Sequence, residues 1–322
     1  MRTRREREAA CDRARHDTPP EPPHGGDLPE RSLKFLIVTA DDFGLHEAVN
    51  QAVEQAAGAG VLTAASLMVG APAAADAVRR ARALPGLAVG LHLVLADGHS
   101  VLPPRRIPAL VDASGRFGEH MARDGMRFFA LPSVRRQLAA EIRAQFQAFA
   151  DTGLALDHVN AHKHFHLHPT LLEMLLRIGR EFGLTAVRLP REPAWMARRA
   201  GPLKGAASGL LLPWLTIMRH RLKAAGVTHN DQVFGVSGSG AMDEAALLGI
   251  LGRLPEGASE IYLHPASRDG LTPAMRAYRH RDELDALLSP RVRAAIAAAG
   301  ATTGSFRSLI RARQSARAVC AA

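Results

Sequence analysis

The chain has 322 residues, 47% of them hydrophobic and 22% charged, enough apolar content for a sizeable core and too much for a chain disordered throughout. Its two cysteines, Cys11 and Cys320, stand near opposite ends, which excludes a disulfide framework and a cysteine zinc site and fits a reducing, cytoplasmic setting. The formal charge of +10 is uneven: 188–223 carries eight basic residues against the single acid Glu192, and 305–322 carries four arginines and no acid, so anionic partners are expected there.

Residues 1–30 mix charges with Pro19-Pro20 and Pro22-Pro23 and lack a continuous apolar stretch, so they read as a disordered tail without a secretory signal. The run Phe35-Leu36-Ile37-Val38 predicts a strand at 33–39, followed by a helix at 46–59, a strand at 62–69 and a helix at 73–83. A strand at 88–93, a long amphipathic helix at 133–150 and a short strand at 158–160 come next. A helix at 170–182, strands at 186–189 and 232–236, a helix at 243–254 and a strand at 260–263 follow. Helices at 273–288 and 290–299 finish the pattern, and 305–322 reads as a basic tail.

Strand and helix alternate about seven times within 31–304, which predicts an α/β protein whose mostly parallel sheet is covered by helices. A (β/α) barrel, TIM-like or NodB-like and irregular or incompletely closed, fits that count; an open doubly wound sheet is the competing architecture. Asp42, His92, His162 and His264 all fall just past the C-terminal ends of predicted strands, where barrels assemble their active sites, and this favours the barrel. The interval 190–226 interrupts the alternation as an insertion or lid. Its apolar centre at 210–218 has Trp195 upstream and Arg219, Arg221 and Lys223 downstream, which suits either an anionic membrane surface or a buried helix with a charged outer face. No uncharged apolar run reaches the roughly 18 residues of a membrane span, and no internal repeat is present.

Thr39-Ala40-Asp41-Asp42-Phe43-Gly44 sets two adjacent carboxylates at a strand's end, and Gly90-Leu91-His92 and the segment from Asn160 to His168 supply imidazoles. One carboxylate and two imidazoles can hold a divalent cation while leaving positions open for water, and Asp42, His92 and His162 form such a set. Neighbouring side chains on an extended strand point to opposite faces, so Asp41 is free for proton transfer and is assigned as general base. The Asp pair would also serve as an Asx turn or helix N-cap, and His92 alone as a hydrogen-bonded core residue. His162, His164, His166 and His168 alternate, so on an extended segment all four point to one side. One cation has room for one or two of them, and the others, His164 and His166 first, would orient the ligands or bind substrate. His264 is a candidate proton donor to a leaving group. Arg188 is a candidate substrate contact or a support for the ligand residues, with a surface ion pair as its plainer role. The donor set admits magnesium, zinc, manganese or cobalt.

On these residues the chain resembles the YdjC-like carbohydrate deacetylase family, which includes chitooligosaccharide deacetylases of the ChbG type. The resemblance rests on 39–44, 90–92, 162–169 and His264-Pro265, and covers roughly 33–299. Segments 62–72 and 89–95 are similar to the HpnK group associated with hopanoid biosynthesis. The resemblance implies a β/α-barrel metal hydrolase that removes N-acetyl groups from amino sugars, with Asp42, His92 and His162 as metal ligands, Asp41 as base and magnesium as the preferred cation. For the HpnK group it implies an N-acetylglucosaminyl hopanoid, converted to the glucosaminyl hopanoid and acetate; soluble chitooligosaccharides are the alternative substrate. Expected partners are therefore a lipid-linked acetylated amino sugar and the inner face of an anionic membrane, with no nucleic acid, because aromatic residues are few and no recognition motif is present. One departure concerns Asn160-Ala161, which stands where the chitooligosaccharide enzymes carry an acidic residue and a serine. Two other functions compete. Glycoside hydrolysis by the Asp pair gives the histidines no task, and a basic membrane-binding module would have no catalysis.

Overall fold

A strand whose residues are apolar on both faces has to be covered on both, and β1 (Lys34–Phe43) is buried along nearly its whole length. In the computed structural model residues 34–199 and 201–321 are described, and the expected tail at 1–30 lies outside them. β1 is central to a parallel sheet with β2 (Ala64–Leu67), β3 (Ala88–Leu93), β4 (Leu156–Ala161), β5 (Gln232–Phe234), β6 (Gly257–Leu263) and the short β7 (Thr302–Thr303). Hydrogen-bonded neighbours run β4-β3-β2-β1-β6-β5, with β7 beside β1, and every pairing is parallel.

Beyond β4 the sheet continues only as isolated bridges, Val159 with Val187 and Ala186 with Thr228. Thr228 and β5 belong to one short segment, so 228–234 touches one edge of the sheet and pairs with β6 at the other. A side chain replaces the ladder at this seam. Asn230 accepts from Leu189 N and donates to Leu189 O, both at 2.8 Å, and Val233 N donates to Arg191 O at 2.9 Å. The expected strand at 186–189 is thus reduced to bridges, and Pro190, with no N–H to offer, lies at its end. The result is an irregular (β/α) barrel whose seam lacks a regular ladder.

The outer layer comprises α1 (Glu47–Ala59), α2 (Ala74–Arg82), α3 (Met121–Ala130), α4 (Pro132–Asp151), α5 (Pro169–Glu181), α6 (Ala194–Arg199), α7 (Pro202–Ala224), α8 (Glu244–Leu251), α9 (His280–Leu288), α10 (Pro290–Ala298) and α11 (Phe306–Ala321). The helix expected at 273–288 is a 3-10 turn, Pro273–Met275, and then α9. Leu36 and Val38 of β1 face the helices, while Phe35 and Ile37 join Ala64, Ala186 and Ala258 in a second, smaller cluster. Phe306 and Leu309 of α11 complete that cluster, so the residues expected as a basic tail instead cap the barrel floor. The Asp157 carboxylate accepts from the backbone N–H of Phe306 at 3.2 Å and Arg307 at 2.9 Å, which fixes the first turn of α11.

Candidate metal centre

The register of β1 against β2 shifts between Ala40 and Phe43, and Asp42 has φ 61°, left-handed backbone that Asp tolerates better than most residues at a cost of about 1 kcal/mol. This irregularity breaks the strand's alternation, so both carboxylates reach the C-terminal mouth of the barrel. His92 comes from β3 and His162 from the turn His162–Leu167 that follows β4. Asp42 Oδ1 is 3.2 Å from His92 Nε2 and 3.1 Å from His162 Nδ1. One ligand atom from each of the three lies within 4.8 Å of the others. His264 Nε2 is 4.0 Å from Asp42 Oδ2, an oxygen that is buried without a hydrogen bond. Burial pushes the Asp42 carboxyl up, and His162 and His92 more than reverse this, holding it well below the ordinary range.

Arg188 is buried, which sets aside the surface ion pair and the substrate contact and leaves the expected supporting role behind the ligands. Fully buried, it donates to Asp41 at 2.5 and 2.9 Å and to Glu260 at 3.0 and 2.8 Å, and its guanidinium carbon sits 4.5 Å from the centre of the Tyr262 ring. Burial pushes Asp41 up and Arg188 overrides it, so the carboxyl stays below the usual range. Asp41, Asp42 and Glu260 against Arg188 leave a formal charge of two negatives among buried groups. A divalent cation would cancel it, and with the partnerless Asp42 oxygen this makes the donor set fit such an ion.

Hydrogen-bond directions around His92 can be assigned from the network. Asn160 donates from Nδ2 to Asp41 Oδ1 and Ser66 Oγ, both at 3.0 Å, so its Oδ1 is the acceptor for His92 Nδ1 at 2.6 Å. The neutral His92 ring then turns its Nε2 lone pair toward Asp42, an arrangement suited to a shared cation. Without one, the ring is drawn to protonate: burial pushes His92 down, but Asp41 and Asp42 raise it further. Ser66, already accepting from Asn160, donates to His158 Nε2 at 3.0 Å, and His158 Nδ1 donates to Asp157 at 3.0 Å. Only glycine at position 90 leaves room for this chain, since a Cβ there would lie 2.5 Å from the His158 ring.

The histidine run is not extended. Lys163 and His164 are left-handed, at φ 53° and 54°, and the four rings diverge. Lys163 Nζ pairs with Asp97 at 2.7 Å, tying this turn to the segment after β3. His164 Nε2 is 2.9 Å from the Tyr262 hydroxyl, and burial, then Arg188 and His166, keep its pKa well below normal. His166 Nε2 donates to Arg188 O at 3.0 Å, and its pKa is pushed down to about 4, chiefly by burial. His168 packs beside Phe128 and Phe165. His264 is held through its backbone: its N–H donates to Glu283 at 2.5 Å and its carbonyl accepts from His280 Nδ1 at 2.6 Å. Burial lowers the His264 pKa against the pull of Asp42 and Asp41.

The family model described as YdjC-like protein matches residues 35–298. This chain belongs to the YdjC-like family. Among similar family proteins, a carbohydrate deacetylase of Geobacillus stearothermophilus is 30% identical over 85% of this chain and 97% of its own. A chitooligosaccharide deacetylase of Serratia marcescens is 31% identical, over 86% and 99%. A carbohydrate deacetylase of Brevibacillus brevis is 37% identical, but the match spans 50% of this chain and 60% of that protein. Among solved structures, a candidate cellobiose-phosphate cleavage protein of Enterococcus faecalis V583 superposes with a TM-score of 0.66 at 25% identity, over 86% of this chain and 99% of the other.

Glu260, Tyr262, Ser66 and His158 were not among the residues singled out from this YdjC-like sequence, and Asn160 was noted there only as a departure. Two signals would have found most of them. Along and just past β6 Glu260, Tyr262 and His264 recur at every second residue, as His158, Asn160 and His162 do along and just past β4, so each trio shares one face.

Proposed function

We propose that this chain is a metal-dependent hydrolase that removes the N-acetyl group of an amino sugar and releases acetate, acting in the cytoplasm on an N-acetylglucosaminyl hopanoid. The single observation that carries this is the meeting of Asp42, His92 and His162 beside an Asp41 clamped by Arg188. A divalent cation held by the three ligands supplies Lewis-acid chemistry, making water more acidic and favouring negative charge on an amide oxygen. Asp41 accepts the proton that water loses. Its Oδ1 is taken up by Arg188 and Asn160, whereas Oδ2 meets Arg188 alone and keeps a lone pair free. Arg188 weakens Asp41 as a base but fixes that oxygen in place. The proton that Asp41 takes from water is the one the departing amine receives, relayed through His264, whose pKa burial lowers so that it takes up that proton only to release it.

Two imidazoles favour zinc or cobalt over magnesium on donor chemistry, whereas the sequence resemblance implies magnesium; the metal content of protein purified without added metal decides between them. A cavity of about 210 Å³ adjoins His162, lined in part by Met68, Val94, Asp97, Arg116, Glu119 and Met275. That is below the ~300–1,000 Å³ of sites for drug-sized ligands, so it suits a sugar head and leaves a lipid body outside. The hopanoid assignment is supported by the likeness of 62–72 and 89–95 to the HpnK group. The test is acetate measured from metal-loaded protein given an N-acetylglucosaminyl hopanoid or diacetylchitobiose. Acetate is expected from the hopanoid, with diacetylchitobiose the weaker substrate. Absence of acetate with every metal tried, or shortening of the sugar chain without acetate, would overturn the proposal.

A further inference from the structure

Among the described residues, the large apolar side chains that stand exposed occur in two places only. One is α3 and the residue after it, with Met126, Phe129 at 70% exposure, and Leu131. The other is α7, with Leu210 at 83%, Leu211, Leu212 and Ile217. Neither group is needed by the core. Leu215, Met218 and Leu222 already form a buried stripe on α7, and Phe128 is the buried anchor of α3.

Both helices pack against the turn that begins with His162. The Phe128 ring of α3 lies 5.4 Å from Phe165 and 6.3 Å from His168, and Trp214 of α7 donates from Nε1 to Leu167 O at 2.7 Å. The two helices that carry the exposed apolar groups therefore adjoin the turn at the mouth of the barrel, and Met126 and Phe129 border an open hollow with His168. Their surroundings are basic. Around α3 stand Arg123, Arg127, Arg135 and Arg136, against Glu119, exposed just before the helix, and Asp124, which is buried and paired with Arg123 and Arg127. From 193 to 230 the chain has no acid, and Arg221 and Lys223 are exposed at the end of α7. Arg221 also lies 5.8 Å from the Trp214 ring.

We infer that α3 and α7 form a surface that docks the mouth of the barrel on an anionic lipid bilayer. Bulky apolar groups enter the boundary between headgroups and acyl chains, and arginine and lysine meet the phosphates. The contact is peripheral, since no described helix is long and apolar enough to cross a membrane. This surface is independent of the substrate; only the further step, that a lipid-linked sugar reaches His162 from the bilayer, rests on the proposed activity.

The test uses the full chain, sedimented with vesicles of phosphatidylcholine alone or mixed with phosphatidylglycerol. Binding is expected to the mixed vesicles, to weaken as salt rises, and to fall about tenfold or more for each of Phe129→Glu and Leu210→Glu, because each removes an apolar side chain that the bilayer would cover. Both positions are exposed, so melting temperature and acetate release from diacetylchitobiose should stay those of the parent. Failure of the parent to bind mixed vesicles, or binding indifferent to both substitutions, overturns the proposal. So does a lipid-free dimer that the same substitutions dissociate, which would make a second copy the occupant. Vesicle binding without acetate release would sink the deacetylase reading and leave the surface intact.

Discussion

Replacing Arg188 with methionine keeps much of the side chain's length and removes a guanidinium that has no contact with solvent. Four charge-assisted hydrogen bonds go with it, two to Asp41 and two to Glu260. Breaking a buried ion pair from one side costs about 3–5 kcal/mol, mainly because the remaining charge is stranded. Two carboxylates are stranded here, so a loss of about 5 kcal/mol is expected near neutral pH, a large part of the ~5–15 kcal/mol that keeps a domain folded. The direction with pH follows from Asp41. In the parent its pKa is depressed, so its contribution is present above the ordinary carboxylate value and is lost as pH falls through the folded-state pKa. In the variant the strongest opposing group is gone and burial dominates; the folded-state pKa is raised, and stability is lost as pH rises through it. The gap between parent and variant therefore widens from about pH 4 to about pH 7. Urea unfolding of chelator-treated protein, followed by circular dichroism across that range, measures it. A gap under about 1 kcal/mol at neutral pH, the value of a surface pair, would refute the reasoning. A gap that ignores pH would assign the loss to packing.

The remaining predictions concern the groups around this clamp. Adding zinc at about a hundredfold over its dissociation constant should stabilise the chelated protein by about 3 kcal/mol, about 5 °C or more in melting temperature. Asp42→Asn should lose that shift and Asp41→Asn keep it; the opposite pattern would exchange their roles. Asn160→Leu removes the acceptor that holds the His92 proton on Nδ1, and calorimetry should find cation affinity lower by about 10–100-fold, while an unchanged affinity would show that His92 is oriented by other contacts. Glu283 is pushed up to about 7 by burial, from an ordinary 4.5. Its contribution to stability is complete below the lower value and is lost, about 3 kcal/mol in all, as pH rises through the upper one. Glu283→Gln should flatten that part of the pH–stability curve, and parallel curves for the two proteins would contradict it.

The strands that lead to Asp42, His92 and His264 were legible because each is a short, largely apolar run that stops at a polar residue, whereas the one before His162, Leu156–Ala161, is half polar and showed only in part. The column inside the barrel was not. Ser66, His158 and Glu260 lie within strands that read as buried from their neighbours, and a polar residue there looks like an interruption until its partners on other strands are known. The histidine run misled because alternation suggests an extended segment, and nothing in the letters announces two successive left-handed residues at Lys163 and His164. Helix α3 was missed because Gly125 interrupts it and its exposed face is the apolar one, which inverts the usual pattern. Four arginines disguised α11, although Phe306 and Leu309 stand at the spacing of a helix face.

That last helix also sets the timing of assembly. α11 follows every strand in the chain, and the short β7 just before it pairs with β1, the first strand described. During synthesis β1 can pair with β2 early, but its short pairing with β7 waits for the last strand, and until Phe306 arrives the ring of His158 lacks that neighbour. The metal site at the opposite end would thus reach its final geometry only after translation has passed the barrel, with the slow kinetics that contacts between distant parts of a chain impose.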